Sequence, residues 1–162
     1  MRAVTTIVFL LVLAANAQKS APRKSAATRP QMSHDFRTAG RKAVTAISHL
    51  GGFLVFVHPV GSEFETNHET MKQLEVEASK AIDEADAQHD NAVDKQAIEL
   101  LKEYKGATVD ALLNRVASAS WCTAGVCDAM YATCKKESEQ AFETGLLPVK
   151  SQCKSLSPRA FK

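Results

Sequence analysis

The apolar stripe Met71, Leu74, Ala78, Ile82, Ala85, His89, Val93, Gln96, Leu100 and Tyr104 constrains the fold of this chain more than any other feature. Its members recur about every 3.67 residues, which is the spacing of an α-helix rather than of a heptad coiled coil. Glu75, Glu77, Lys80, Asp83, Glu84, Asp86, Asp94, Lys95 and Glu99 occupy the other faces. The pattern predicts an amphipathic helix from about Glu65 to Lys105, closed by Gly106 as a left-handed cap. At about 1.5 Å per residue such a helix runs about 60 Å, which is long for a domain this small. The polar run Gln88-His89-Asp90-Asn91 is where a bend or break belongs.

The same spacing recurs on both sides. Ser33 is a candidate N-cap, with Asp35 in the first turn. Phe36, Ala39, Ala43, Val44, Ile47 and Leu50 follow at helical intervals until Gly51-Gly52 interrupts them. Phe53–Val57 finds no second strand-like run to pair with, so it reads as a buried helical or extended continuation. Thr108–Trp121 repeats the helical pattern through Val109, Leu112 and Val116. Thr123-Ala124-Gly125 reads as a turn, and a last helix spans Val126–Thr144, ended by Gly145 and Pro148. The expected fold is all-α: a bundle of four or five helices over residues 33–155, with one long amphipathic helix and two C-terminal disulfides.

The N-terminus bears on compartment. Arg2 precedes the apolar run Val4–Ala14, and Ala15-Asn16-Ala17 has the small-x-small form that signal peptidase accepts. Residues 1–17 therefore read as a signal peptide, with Gln18 first in the exported chain. The apolar run falls short of the about 20 residues a permanent span requires. Residues 18–32 read as a basic, disordered arm, in which Arg23-Lys24 is a candidate processing pair. Residues 156–162 read as a flexible tail. The expected location is extracellular.

Charge is distributed in blocks. Gln18–Pro59 holds seven Lys/Arg against Asp35 alone, whereas Val60–Asp110 holds thirteen Asp/Glu against five Lys. Complementarity between basic and acidic elements of one molecule accounts for this most simply; attraction of the arm to an acidic partner or a membrane surface is the other account. The acidic block and the lack of a basic-aromatic motif argue against nucleic acid as a partner.

Cys122, Cys127, Cys134 and Cys153 all lie near the C-terminus, and an even count in an exported chain points to two disulfides. Seven helical residues separate Cys127 from Cys134 by about 10.5 Å, beyond the roughly 7 Å a disulfide spans. Two pairings remain. Cys122–Cys127 with Cys134–Cys153 is preferred, because in the alternative, Cys122–Cys134 with Cys127–Cys153, the tail must climb almost the whole helix.

Catalytic arrangements are missing from the sequence. His68-Glu69 lacks the second histidine of a zinc-protease motif, since residue 72 is Lys. Asp86, His89, Asp90 and Asp94 share helical neighbour spacings, but hard cations favour ligand loops over one helix face, so a solvated face is the simpler reading. His89 reads as a core histidine. No nucleophile elbow, phosphate loop or cofactor motif occurs, and the expectation is a protein that is not an enzyme and holds no metal.

Ala43–Ser62 stands out because twenty residues carry no Asp, Glu, Lys or Arg. The simpler reading is a central helix, apolar all round because neighbours cover it; Gly51-Gly52, Pro59, His49 and His58 oppose stable insertion in a bilayer. Two functions follow as expectations. One is a secreted binding protein that holds a lipid-like apolar ligand or a protein partner between its helices, with Phe36, Ile47, Leu50, Phe53, Leu54, Phe56, Ile82 and Leu100 as contacts. The other is a membrane-active defence or toxin-like protein that uses the basic arm and segment 43–62.

Overall fold

The computed structural model describes residues 30–55, 63–117 and 124–156. Within them lie five α-helices and no strand: α1 His34–Gly52, α2 Glu63–Asp86, α3 Ala92–Ala117, α4 Ala124–Thr144 and α5 Gln152–Leu156, with a 3-10 turn at Phe53–Val55 after α1. The segment read as a signal peptide, the arm as far as Arg29, Phe56, Cys122 and residues 157–162 lie outside the described residues.

The long helix breaks where the polar run falls. The Asn91 side chain caps α3, its Oδ1 accepting from the backbone N–H groups of Val93 at 2.8 Å and Asp94 at 3.0 Å, so the chain reverses after Asp86 and starts a second helix. Lys105 Nζ then reaches Ser79 Oγ at 2.9 Å and Glu75 at 3.8 Å, which fixes α2 and α3 as an antiparallel pair. The turn also starts the helical pattern anew. Met71, Ala78, Ile82 and Ala85 are buried as the stripe requires, and so are Leu100 and Tyr104 beyond the turn, but there Gln96 is exposed while Asp94, Ala97, Ile98 and Leu101 are buried as well.

Gly106 is not a cap. It sits inside α3, which continues unbroken to Ala117 and absorbs the helix read separately from Thr108. The residue with a positive φ, 77°, is Gly145, at the C-terminal end of α4, where the sequence places a stop. Nor do Gly51 and Gly52 end α1 early, since both belong to its last turn. A Cβ on Gly51 would stand 2.4 Å from the Tyr131 hydroxyl, and one on Gly40 would stand 2.0 Å from the Phe142 ring. Gly40 and Gly51 are thus notches for two aromatics of α4. The two glycines are eleven residues apart, as are Tyr131 and Phe142. Eleven residues make about three turns, so the notches and rings match along two antiparallel helices. At the other end of α4, Ala124 and Gly125 belong to its first turn rather than to a preceding loop.

Helix α3 packs against each of the other four helices among the described residues, which is the central place expected of segment 43–62. Segment 43–55 keeps an exposed face at Thr45, His49, Gly52 and Val55. Two apolar clusters fill the interior. The larger joins Phe36, Ile47, Ile82, Leu101, Tyr104 and Phe142, and the smaller joins Leu50, Leu54, Met71, Leu112 and Cys127. Asp94 corrects the solvated-face reading: it is fully buried. His89 corrects the core reading, for its side chain is 35% exposed and pairs with Asp86 at 3.1 Å.

Cys134 and Cys153 are joined in a disulfide, which rules out Cys122–Cys134 with Cys127–Cys153. Cys127 is disulfide-bonded as well.

Candidate functional site

The residues nominated from sequence do not assemble into one site. Phe36, Ile47, Ile82 and Leu100 belong to the larger cluster, whereas Leu50, Phe53 and Leu54 belong to the smaller. Phe36 and Ile47 are 0% exposed and Ile82 is 4% exposed, so their surface is already spent on one another and on neighbouring helices. None of the four clefts described is walled by Phe36, Ile47, Phe53 and Ile82.

The feature that sequence reading missed is the connection between α4 and α5. Leu146, Leu147, Pro148 and Val149 are four consecutive apolar residues in a surface loop, and Val149 is 91% exposed. Leu147 is half-buried and roots the loop against the larger cluster. Val149 points away from it. We call this loop the knuckle. The run of apolar residues directly after a helix-ending glycine was the signal that could have revealed it.

Both ends of the knuckle are held. On the α4 side, the Met32 N–H donates to the Gly145 carbonyl at 3.0 Å, and the Gly145 N–H donates to Ala141 O at 2.7 Å. Arg37 Nε and Arg41 Nε donate to Phe142 O at 2.9 and 3.1 Å, and Arg41 also reaches Glu143 O at 3.3 Å. These cations satisfy carbonyls that a helix end otherwise leaves unpaired, and they complement its negative dipole end. On the α5 side, Glu137 accepts from Ser151 Oγ at 2.6 Å, from Gln152 N–H at 2.7 Å and from Cys153 N–H at 3.3 Å. The Cys134–Cys153 disulfide lies one helical turn from Glu137 and fixes α5 to α4 covalently. A loop tied at both ends loses little conformational entropy on contact with another surface.

A groove lies on each side of the knuckle. One, of about 320 Å³, has Leu100, Leu147, Pro148 and Val149 as its apolar surface, with Glu99 and Glu103 on α3 and Lys154 on α5. The other, of about 280 Å³, runs along α4 past Gln140, Ala141 and Thr144. Val149 borders both.

Elsewhere the polar chemistry is structural. Asp94 accepts from the Ser33 N–H at 3.0 Å, the Ser33 hydroxyl at 2.8 Å and the Asp90 N–H at 3.0 Å, so Ser33 spends its side chain on α3 instead of capping α1. Tyr104 is fully buried, with its hydroxyl 3.1 Å from Ser48 Oγ, and burial pushes its phenol above the ordinary range. Among the described residues no group of three His, Cys, Asp or Glu is placed to hold a metal ion.

No protein-family model, curated protein or solved structure matches the chain.

Proposed function

We propose that this is an exported helical bundle that acts by surface recognition of a protein partner, with the knuckle as its contact. The exposure of Val149 on a loop tied down at both ends is the observation that carries this reading. A side chain that apolar gains nothing for the fold from standing in water, and the surrounding hydrogen bonds and disulfide keep it there. Export is supported by the leader-like Met1–Ala17 and by the Cys134–Cys153 disulfide, because crosslinks of this kind persist in oxidising compartments. With Cys134 and Cys153 joined, the second crosslink of the proposal is Cys122–Cys127.

The filled interior moves weight from an enclosed apolar ligand to the surface. The membrane-active alternative gains no support, since residues 43–54 supply Ala43, Val44, Ile47, Leu50 and Leu54 to the core. No helix among the described residues is long and apolar enough to cross a membrane.

The test replaces Val149 by a photo-reactive amino acid in the full chain and recovers the protein from the medium. Intact mass is expected to start at Gln18 and to show all four cysteines oxidised. Light is expected to attach a protein at position 149 and not at the control position Val76, which is 67% exposed on α2. An uncut leader, free thiols, or equal labelling at both positions overturns the reading.

A further inference from the structure

The groove beside the knuckle is two-sided in charge. Its α3 wall carries Glu99 and Glu103, while its α5 wall carries Lys154, and exposed Lys150 adjoins Val149. Glu99 already holds Lys102 at 3.2 Å, which leaves Glu103 as the carboxylate to test. Between the walls lie Leu100, Leu147 and Pro148, and beside them stands Val149. A partner bearing charge of one sign would be repelled by one wall or the other. A second copy of this chain is repelled by neither. A two-fold pairing that set each Val149 over the opposite groove would also set each acidic wall against the opposite basic wall, which is the self-complementarity an isologous contact requires.

We infer that the knuckle pairs two copies of this chain, Val149 of each seating in the other's groove and Glu103 of each facing the other's Lys154. The inference rests on the reading of the knuckle as a contact surface and names its partner. The patch is small beside the about 1,200–2,000 Å² buried in stable complexes, so the pairing belongs to the weak, reversible class.

Sedimentation equilibrium of the secreted protein, from micromolar to millimolar concentration, is expected to show monomer and dimer in exchange. Val149→Glu should weaken dimerisation at least tenfold with an unchanged circular dichroism spectrum. Glu103→Lys alone and Lys154→Glu alone should each weaken it, because each sets like charges against each other. Mixing those two variants should restore it, since in the mixed dimer each facing pair is again one Lys and one Glu; misfolding cannot produce that rescue. A wild-type monomer throughout, indifference to Val149→Glu, or no rescue on mixing overturns the inference. The photo-crosslink from position 149 separates the two readings. Attachment to a different protein ends the self-pairing and leaves the contact surface standing, whereas attachment to no protein removes both.

Discussion

The Asp94 carboxylate is fully buried and accepts three hydrogen bonds, two from Ser33 and one from Asp90. It therefore joins the start of α1 to the turn before α3. Asp94→Ala strands three donors, and a loss of about 3 kcal/mol is expected, read by urea denaturation. A loss under about 0.5 kcal/mol would show that the site merely tolerates the charge. Tyr104 carries the pH dependence. Burial, the largest cause, raises its phenol above the ordinary 10.0. Above that value the unfolded chain releases the proton while the folded chain keeps it, so the unfolded state binds fewer protons and stability falls as pH rises. The free energy of unfolding should decline beyond about pH 10 more steeply in the wild type than in Tyr104→Phe. Equal slopes would locate the effect elsewhere.

Among the elements, glycine separates what the sequence discloses from what it hides. Gly145 reads correctly as a stop because its neighbours Thr144 and Pro148 agree with it, and its φ of 77° confirms the left-handed turn. Gly106 looks identical in one dimension yet lies inside α3 with nothing within 4 Å of a Cβ. Gly106→Ala should therefore stabilise the protein by up to about 1 kcal/mol, whereas a true left-handed cap would lose stability. Gly40→Ala should do the reverse and cost about 1–3 kcal/mol, since the methyl would overlap the Phe142 ring. Thermal melts of the two variants should shift in opposite directions. The stripe was legible through α2, where periodicity alone sets burial. Beyond Asn91 it held at Leu100 and Tyr104 but put Gln96 inside and overlooked Asp94, Ala97, Ile98 and Leu101, because α3 starts anew after the turn between Asp86 and Ala92, which no continuous spacing records. Helical rise left two pairings open, and the preference for Cys134–Cys153, the shorter climb for the tail, is the one the structure bears out. The knuckle was not legible, because exposure of Val149 depends on ties from Met32, Arg37 and Arg41, all distant in sequence, and on Glu137 of α4. The disulfide is a further tie, and cutting it tests the arrangement: Cys134→Ala with Cys153→Ala should cost about 3 kcal/mol. Hydrogen exchange in that variant should quicken in α5 before the rest of the molecule, since the covalent anchor to α4 is gone and Glu137 remains. Uniform acceleration would mean that the disulfide supports the whole fold.

For the molecule as a whole, the decisive quantity is empty volume. A carrier of apolar ligands keeps a dry cavity and collapses or recruits a substitute when emptied; a protein that works by its surface keeps its interior full. Here Phe36, Ile47, Ile82, Leu101, Tyr104 and Phe142 close on one another between α1, α2, α3 and α4. Ile47 is 0% exposed, so truncating it removes packing without opening a path to solvent. Ile47→Ala should cost about 2–5 kcal/mol, the range for a buried aliphatic side chain whose surroundings relax only in part. The void it leaves is apolar, and such voids stay dry and accept small apolar guests. Saturating benzene or xenon should therefore raise the melting temperature of Ile47→Ala and leave the wild type unchanged. If the wild type is stabilised too, its interior already holds a ligand cavity, and recognition moves from the knuckle back between the helices.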